Sequence, residues 1–170
     1  MKKVILGATG SIGSSLAKKL VESGEQVHLV GRDVASLSEL ANELNSTFTT
    51  CDVLEENFSE KIINDLKDEQ VNGLAYCVGS IDLKPLKLTK KSDFMQSFNL
   101  NLVSATEIIK SLADNLKASK GSIVLFSTVA VKQGFPNHAI VSSAKGAIEG
   151  LTLALAAEYA PNIRVNCIAP

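Results

Sequence analysis

Three evenly spaced glycines lie near the N-terminus. The segment that contains them runs Gly7, Ala8, Thr9, Gly10, Ser11, Ile12, Gly13. It follows a short apolar run and precedes a stretch with helical periodicity. Glycines at such a junction permit a tight turn, a close approach of backbone to phosphate, and tight packing of helix on strand. The helix N-terminus offers unpaired N–H groups and a positive dipole end to an anion. The segment therefore predicts a pyrophosphate-binding loop, the alternative being a plain strand-to-helix turn.

The second candidate binding residue is Arg32, which follows Gly31 at the end of a predicted strand. Dinucleotide-binding folds commonly carry an acidic residue at that place, for the ribose 2′-hydroxyl. A guanidinium can instead pair with a 2′-phosphate through two hydrogen bonds. We therefore predict NADP rather than NAD, although Asp33 adjoins Arg32 and weakens the preference. A solvated loop arginine is the alternative.

The elements that would position these residues alternate regularly along the chain. Apolar, β-branched runs predict strands at 4–6, 27–30, 47–53, 74–78, 123–126 and 163–168. Helical spacing predicts helices at 11–23, after Asp33, around 58–66, from 89 or 92 to about 116, and from about 137 to 159. Residues 80–91 and the segment before 137 are predicted loops. Near-continuous apolar strands alternating with helices are typical of a parallel sheet covered on both faces. The sequence predicts one doubly wound α/β domain over residues 1–170.

Composition excludes several other classes of protein. The chain has 170 residues, of which 45% are hydrophobic and 21% charged, a balance that excludes a disordered chain. With a net charge of −1, the chain is not expected to attract nucleic acid or an anionic membrane strongly. No uninterrupted apolar run approaches the ~18–20 residues of a membrane span. We expect a small-molecule substrate rather than a nucleic acid or a membrane.

The cysteines Cys51, Cys77 and Cys167 lie far apart and are odd in number. They form no CxxC pair, and a disulfide framework or structural zinc site is not expected. We predict three buried thiols on or beside strands, in a protein of the reducing cytoplasm.

Together with the glycine loop, Thr128, Lys145 and the segment from Arg164 to Pro170 resemble the short-chain dehydrogenase/reductase family. The resemblance extends from Val4 to Pro170. It implies a seven-stranded Rossmann-type sheet, a nicotinamide cofactor, and hydride transfer to or from a carbonyl or alcohol. The family continues beyond the segment that ends here, through a substrate-binding loop and a seventh strand. Either residues 1–170 are a fragment of a longer chain or those parts are absent, and in both cases this sequence does not define the substrate pocket.

The resemblance also implies further site residues. Asp52 and Val53 match the family's adenine-contacting pair. The family's NNAG motif is replaced here by Tyr76, Cys77, Val78 and Gly79, so that only the glycine is kept. Asn101 matches the active-site asparagine that holds a proton-relay water.

The family's catalytic serine, tyrosine and lysine match Thr128, Val141 and Lys145. The threonine keeps a hydroxyl, and the lysine, which in the family also binds the nicotinamide ribose, is present. Val141 and Lys145 are spaced i, i+4 and share one helix face, but valine has no proton to give. A general acid typically contributes about 10²–10⁴-fold to the rate.

Three interpretations remain open. The chain is an oxidoreductase with a substitute proton donor, or it reduces a substrate that needs little acid help, such as an imine or an activated double bond. Alternatively, it binds NADP without turnover, as a sensor or an oligomer partner. The candidate donors are His138, Ser142, Ser143, and a water held by Thr128, Lys145 and Asn101. A surface histidine at a helix start is the alternative for His138. The presence of Asn101, Thr128 and Lys145 together favours chemistry.

The family resemblance further implies a homodimer or homotetramer, with helices around 95–116 and 138–159 at the subunit interface. The second of these helices is apolar over more than one stripe, which suits burial on two sides. Burial against its own sheet alone is the alternative.

Overall fold

The computed structural model describes all 170 residues and contains one six-stranded parallel sheet. The strands are β1 (Lys2–Leu6), β2 (Gln26–Gly31), β3 (Thr47–Thr50), β4 (Val71–Tyr76), β5 (Ser122–Phe126) and β6 (Arg164–Ile168). Their order in the sheet is β3-β2-β1-β4-β5-β6. The chain changes direction across the sheet between β1 and β4, and ligands of such folds bind in the crevice at the carboxyl ends of those strands.

Helices cover the sheet on both faces. They are α1 (Ser11–Glu22), α2 (Val34–Glu43), α3 (Phe58–Leu66), α4 (Lys91–Phe98), α5 (Ser104–Ala118), α6 (Ala130–Gln133) and α7 (Ala139–Tyr159). Between α4 and α5 the chain continues as a π-helical turn, Asn99–Val103. A short 3₁₀ turn, Leu86–Leu88, precedes α4.

Alternation along each strand divides the core into two layers. In β1, Val4 and Leu6 pack with α3, α5 and α7, whereas Ile5 packs with α1 and α2 on the opposite face. All three side chains are fully buried. Successive strand residues point to opposite faces, and an uninterrupted apolar run therefore supplies both layers at once. The predicted doubly wound α/β fold is confirmed.

Five details differ from the sequence-based expectation. β3 ends at Thr50 rather than at 53, and α6 lies within a predicted loop. The long helix from about 91 to 118 is interrupted by the π turn, and α7 begins at Ala139 with His138 as its N-cap rather than at 137. Of the three cysteines only Cys51 is buried, because Cys77 and Cys167 lie at strand ends where side chains border the crevice or the surface.

α7 is long and apolar enough, by length and composition, to cross a bilayer, although no uninterrupted apolar run in the sequence is that long. In this fold it packs against β5, β6 and α4. Only 28% of its most apolar window is buried, and Leu153 is 74% exposed. The helix therefore presents an apolar surface on the side away from the sheet.

Candidate active site

The glycine loop joins β1 to α1 in a conformation that only glycines fit. Gly7 has a φ of +74°, and a Cβ there would lie 2.9 Å from the carbonyl carbon of Cys77. A Cβ on Gly13 would collide with the carbonyl oxygen of Gly7, which is how closely α1 approaches β1. α1 has no capping side chain and no acidic residue in its first turn. Its N-terminal amide groups are therefore available to an anion.

A chamber of about 430 Å³ opens beside this loop, at the carboxyl ends of β1, β2 and β4. We call it the loop chamber. Among the predicted cofactor-binding residues, those that line it are Gly7, Thr9, Gly10, Arg32, Asp52, Val53, Cys77, Val78 and Gly79. Ser11 and Gly13 do not line it, since Gly13 serves the packing of helix on strand. Gln96 and Leu100, from the region of the π turn, also line it. Nothing in the sequence indicated these two residues, because they approach from a distant helix.

A second chamber of about 320 Å³ adjoins the first. We call it the lysine chamber. The two chambers share Cys77, Val78, Gly79 and Ser80 as lining residues, so they lie side by side, and we refer to the two together as the cleft. The lysine chamber brings together the residues predicted for chemistry on β5–α6 and α7, with one residue of the glycine loop. These are Thr128, His138, Val141, Lys145 and Ile12.

Asn101 lies in the π turn and is fully buried. Its Nδ2 donates to the carbonyl oxygen of Ser97 at 2.9 Å, which fixes the amide orientation because a carbonyl only accepts. Its Oδ1 has no hydrogen-bond partner. A Cβ on Gly79 would lie 3.0 Å from this Oδ1 and 3.1 Å from Nζ of Lys145. The unpaired carbonyl oxygen and the ammonium thus lie close to the same glycine, which lines the lysine chamber, although Asn101 itself does not line it.

Lys145 has no acidic partner in any of the ion pairs of the protein. Burial lowers the pKa of its ammonium, and the nearby Cys77 and Cys167 oppose the shift. Burial also raises the pKa of Cys77 to about 12, which keeps that thiol neutral. The ammonium of Lys145 therefore lacks an anionic partner that would offset its desolvation, and it is suited to bind ligand oxygens.

At the far end of the loop chamber, Arg32 is the main cation. Its Nη1 lies 3.5 Å from Oδ2 of Asp52, and the arginine side chain is 75% exposed. Oδ1 of Asp33 accepts the amide N–H of Ser36 at 2.8 Å and caps α2. Hydrogen bonding from the side chain of Ser36, together with this backbone bond, lowers the pKa of Asp33. One oxygen of the neighbouring carboxylate is thus held by the helix, while the guanidinium faces solvent at the rim.

The imidazole of His138 is oriented by a hydrogen bond to the backbone two residues earlier. Nδ1 lies 2.8 Å from the carbonyl oxygen of Pro136, so Nδ1 carries a proton and Nε2 is the nitrogen left for a ligand. The ring also packs on Phe135, with centroids 5.4 Å apart. By contrast, Ser142 and Ser143 donate to the carbonyl oxygens of Ala130 and Ala139, and neither lines the cleft.

The hydroxyl of Thr128 accepts the amide N–H of Ala130 at 3.3 Å, which leaves its own proton free to be donated. Val141 is 3% exposed and packs at the wall of the lysine chamber. The structure therefore assembles one hydroxyl, one ammonium and one imidazole around the lysine chamber, with the amide oxygen of Asn101 next to its lining residue Gly79. Such a set can bind an oxygen-bearing ligand and move protons to it.

Comparison with known proteins identifies the relatives of this chain. The family model described as enoyl-(acyl carrier protein) reductase matches residues 7–170. L-fucose dehydrogenase of Oryctolagus cuniculus is 31% identical over 172 residues, covering 98% of this chain and 61% of that protein. L-xylulose reductase of Bos taurus is 31% identical over 175 residues, covering 99% of this chain and 70% of the relative. A tropinone reductase homologue of Arabidopsis thaliana is 33% identical over 180 residues, covering 100% and 69%. The chain thus spans 61% to 70% of the lengths of these three relatives.

Solved structures agree with the sequence relatives. A short-chain dehydrogenase/reductase family protein superposes with a TM-score of 0.93 at 25% identity, covering 100% of this chain and 73% of that one. L-sorbose reductase of Gluconobacter frateurii, solved with NADPH and L-sorbose, superposes with a TM-score of 0.94 at 22% identity, covering 99% and 68%. The second similarity concerns the fold alone. Sequence and structure together place the chain in the short-chain dehydrogenase/reductase family, a family of NAD(P)-dependent oxidoreductases.

Proposed function

We propose that residues 1–170 form an NADP-binding Rossmann-type domain that transfers hydride between the nicotinamide cofactor and a small carbonyl, alcohol, C=N or C=C substrate. One observation carries the proposal. Two adjoining chambers have the glycine loop at one end and, at the other, the hydroxyl, ammonium and imidazole of the lysine chamber with the amide oxygen of Asn101 beside it. The names of the relatives, which are dehydrogenases and reductases, support the same reaction class.

The protein groups fit a dinucleotide along the cleft. The N-terminus of α1 and the loop glycines would hold the pyrophosphate, and Asp52 and Val53 would border the adenine. Arg32 would pair with a 2′-phosphate in place of its present contact with Asp52. The ammonium of Lys145 would bind ribose hydroxyls. The bound cofactor supplies or accepts the hydride, and the protein supplies position and protons.

Protonation of the substrate oxygen or nitrogen falls to the chain's own groups. His138 is the donor that we favour, because its Nδ1–H is already bonded to the carbonyl of Pro136 and only Nε2 is left for a ligand. The imidazolium would donate from Nε2 while the carbonyl stabilises the Nδ1 side. Thr128, Lys145 and Asn101 would hold the substrate oxygen or a relay water. A general acid in this role accounts for about 10²–10⁴-fold in rate.

A second function, NADP binding without turnover, is favoured by a different observation. Position 141, which the family resemblance matches to a catalytic tyrosine, holds a valine that is buried as a packing residue. The exposed apolar side of α7 suits a second copy of the chain, together with the region of α4 and α5. A homodimer or homotetramer is accordingly part of both functions.

The test begins with titration calorimetry of NADPH and NADH. Arg32 and Arg164 are the only arginines, and Arg164 lies at the opposite end of the sheet, where β6 begins. We expect NADPH to bind at least tenfold more tightly than NADH. The Arg32→Ala variant should lose that preference, and Arg164→Ala should keep it. Equal affinities for the two cofactors in the unaltered protein would contradict the NADP assignment.

Turnover is then measured as NADPH oxidation against aldehydes, ketones, imines and activated alkenes. Replacing His138 with Gln should lower kcat by about 10²-fold or more while leaving NADPH affinity unchanged. The matched control, His28→Gln, removes the only other histidine, which lies outside the cleft. NADPH binding with no turnover of any substrate class would favour the non-catalytic function.

A further inference from the structure

We infer that Tyr76 is a positioning residue, whose hydroxyl holds the π turn that places Oδ1 of Asn101 beside the lysine chamber. The consequence for catalysis rests on the proposed function, whereas the consequence for the π turn does not. Tyr76 stands where the family's NNAG motif has its first asparagine, and it is therefore a feature of this chain rather than of the family pattern.

Tyr76 is the last residue of β4, paired with Leu6 of β1 and Leu125 of β5. Its side chain is 2% exposed and belongs to the larger core cluster. From this fixed base the hydroxyl donates to the carbonyl oxygen of Leu100 at 2.7 Å. A central strand is thereby tied to the middle of the π turn.

The π turn leaves that carbonyl in need of a donor. In a regular α-helix the amide N–H of Ser104 would donate to Leu100, four residues earlier. Here it donates to Asn99, five residues earlier, as one extra residue in the turn requires. The hydroxyl of Tyr76 supplies a donor to Leu100 instead.

A second hydroxyl completes the support. Oγ of Ser104 lies 2.9 Å from the carbonyl oxygen of Asn99 and 2.8 Å from that of Val53. Val53 lines the loop chamber. The two hydroxyls therefore fasten the π turn to both β4 and the segment after β3. These are two walls of the cleft.

The next residue of the turn after Leu100 is Asn101. Its Oδ1 is held beside Gly79 with no partner of its own, although it is fully buried. Gly79 itself lies three residues after Tyr76, on the same strand extension. One short segment thus binds the π turn through Tyr76 and contacts the side-chain amide of Asn101 at Gly79. Loss of the anchor would let Asn101 rotate away from the ammonium of Lys145 without any change at the reacting groups.

Tyr76 cannot replace the absent family tyrosine as a proton donor. Burial raises the pKa of its phenol, and the proton is already engaged with Leu100. It lines neither chamber. Its role is therefore exerted through the backbone of the turn.

The first test does not depend on activity. Amide hydrogen exchange is measured by mass spectrometry in the unaltered protein, in Tyr76→Phe, and in Tyr159→Phe. Tyr159 is the only other tyrosine and lies at the end of α7, which makes it the matched control. We expect exchange in peptides covering 99–104 to accelerate about tenfold in Tyr76→Phe alone. Unchanged exchange there would overturn the inference.

The second test measures coupling in kcat. Tyr76→Phe should lower kcat about tenfold in the unaltered background and have no further effect in Asn101→Ala. Additive effects of the two substitutions would overturn the positioning role. A protein that shows no turnover at all would refute the proposed function, and the exchange experiment would still decide the role of Tyr76.

A third measurement applies if Tyr76→Phe does not fold. In Tyr159→Phe the remaining phenol is Tyr76, and its ionisation can be followed by ultraviolet absorbance as the pH rises. We expect it to ionise only together with unfolding, as monitored by circular dichroism. Reversible ionisation near pH 10 in the folded protein would show that the hydroxyl is not held, and would refute the inference.

Discussion

Acidification should weaken the fold through one buried histidine that lies away from the cleft. His28 in β2 is 1% exposed. Its Nδ1 lies 2.8 Å from Oγ1 of Thr47, and its Nε2 lies 2.9 Å from Oγ1 of Thr49. Beyond them, Nζ of Lys2 donates to Thr47 at 2.9 Å, and Thr49 donates to Oδ2 of Asp65 at 2.7 Å. The five side chains form one line from an ammonium to a carboxylate.

The ammonium and the carboxylate at the two ends of this line determine which atom donates and which accepts in each hydrogen bond between them. Asp65 only accepts, so Thr49 donates its hydroxyl proton to it and must accept from Nε2–H of His28. Lys2 only donates, so Thr47 accepts from it and has its own proton free for Nδ1. The neutral Nε2–H tautomer of His28 satisfies all four bonds at once. A proton on Nδ1 would break the bond from Thr47 and place a buried positive charge toward Lys2.

The magnitude follows from the shift in pKa. Desolvation, aided by Lys2, lowers the pKa of His28 from 6.5 to about 4, while Asp65 and Glu69 oppose the shift. In the unfolded chain the imidazole of His28 is protonated below about pH 6.5, whereas in the folded chain it stays neutral down to about pH 4. The histidine's contribution to stability is therefore complete above pH 6.5 and is lost as the pH falls toward 4. At about 1.4 kcal/mol per pH unit, the loss amounts to ~3 kcal/mol.

The assay is urea unfolding at pH 7.5, 6.5, 5.5 and 4.5. His28→Gln removes the titrating group, and the difference from the unaltered protein isolates it from carboxylates that titrate in the same range. His138→Gln serves as the control and should keep the full pH dependence. In parallel, the imidazole proton signals of His28 in NMR spectra should titrate with a midpoint near pH 4. Equal slopes in the unaltered protein and in His28→Gln, or a His28 midpoint near 6.5, would refute the reasoning.

Two further predictions concern backbone contacts. Gly13→Ala should abolish NADPH binding and lower the melting temperature, because its Cβ would collide with the carbonyl of Gly7; Gly150→Ala, where a Cβ meets nothing within 4 Å, should fold and bind normally. Asn115→Ala should destabilise the protein by ~1–3 kcal/mol in urea unfolding, because it strands the buried amide N–H of Val71, which donates to Oδ1 of Asn115 at 2.6 Å. A loss below about 0.5 kcal/mol would contradict that account.

Local sequence patterns predicted most of the fold and part of the candidate site. The apolar run at β1 and the glycine loop determine the crevice, because their geometry is set by neighbours in sequence. The π turn was not predicted, since helical periodicity over 91–118 does not encode one inserted residue whose carbonyl is satisfied from a distant strand. His28 gave no sign of its network either. Its partners Thr47 and Asp65 lie 19 and 37 residues further along the chain and meet it only when the strands pair.

The lysine chamber retains two features that are costly to the fold. Oδ1 of Asn101 is buried with no partner, which costs about 1–3 kcal/mol, and the ammonium of Lys145 is desolvated without an acidic partner. Neither feature helps to hold the sheet or its helices together, and both lie beside the same glycine. Binding of the cofactor alone would account for Lys145, whose ammonium would bind the nicotinamide ribose, but not for the unpaired Oδ1 of Asn101. Unsatisfied polar groups that converge on one cavity are typical of sites where a ligand completes the bonding. The unpaired amide oxygen of Asn101 therefore favours an oxidoreductase with a substitute proton donor over a protein that only binds the cofactor.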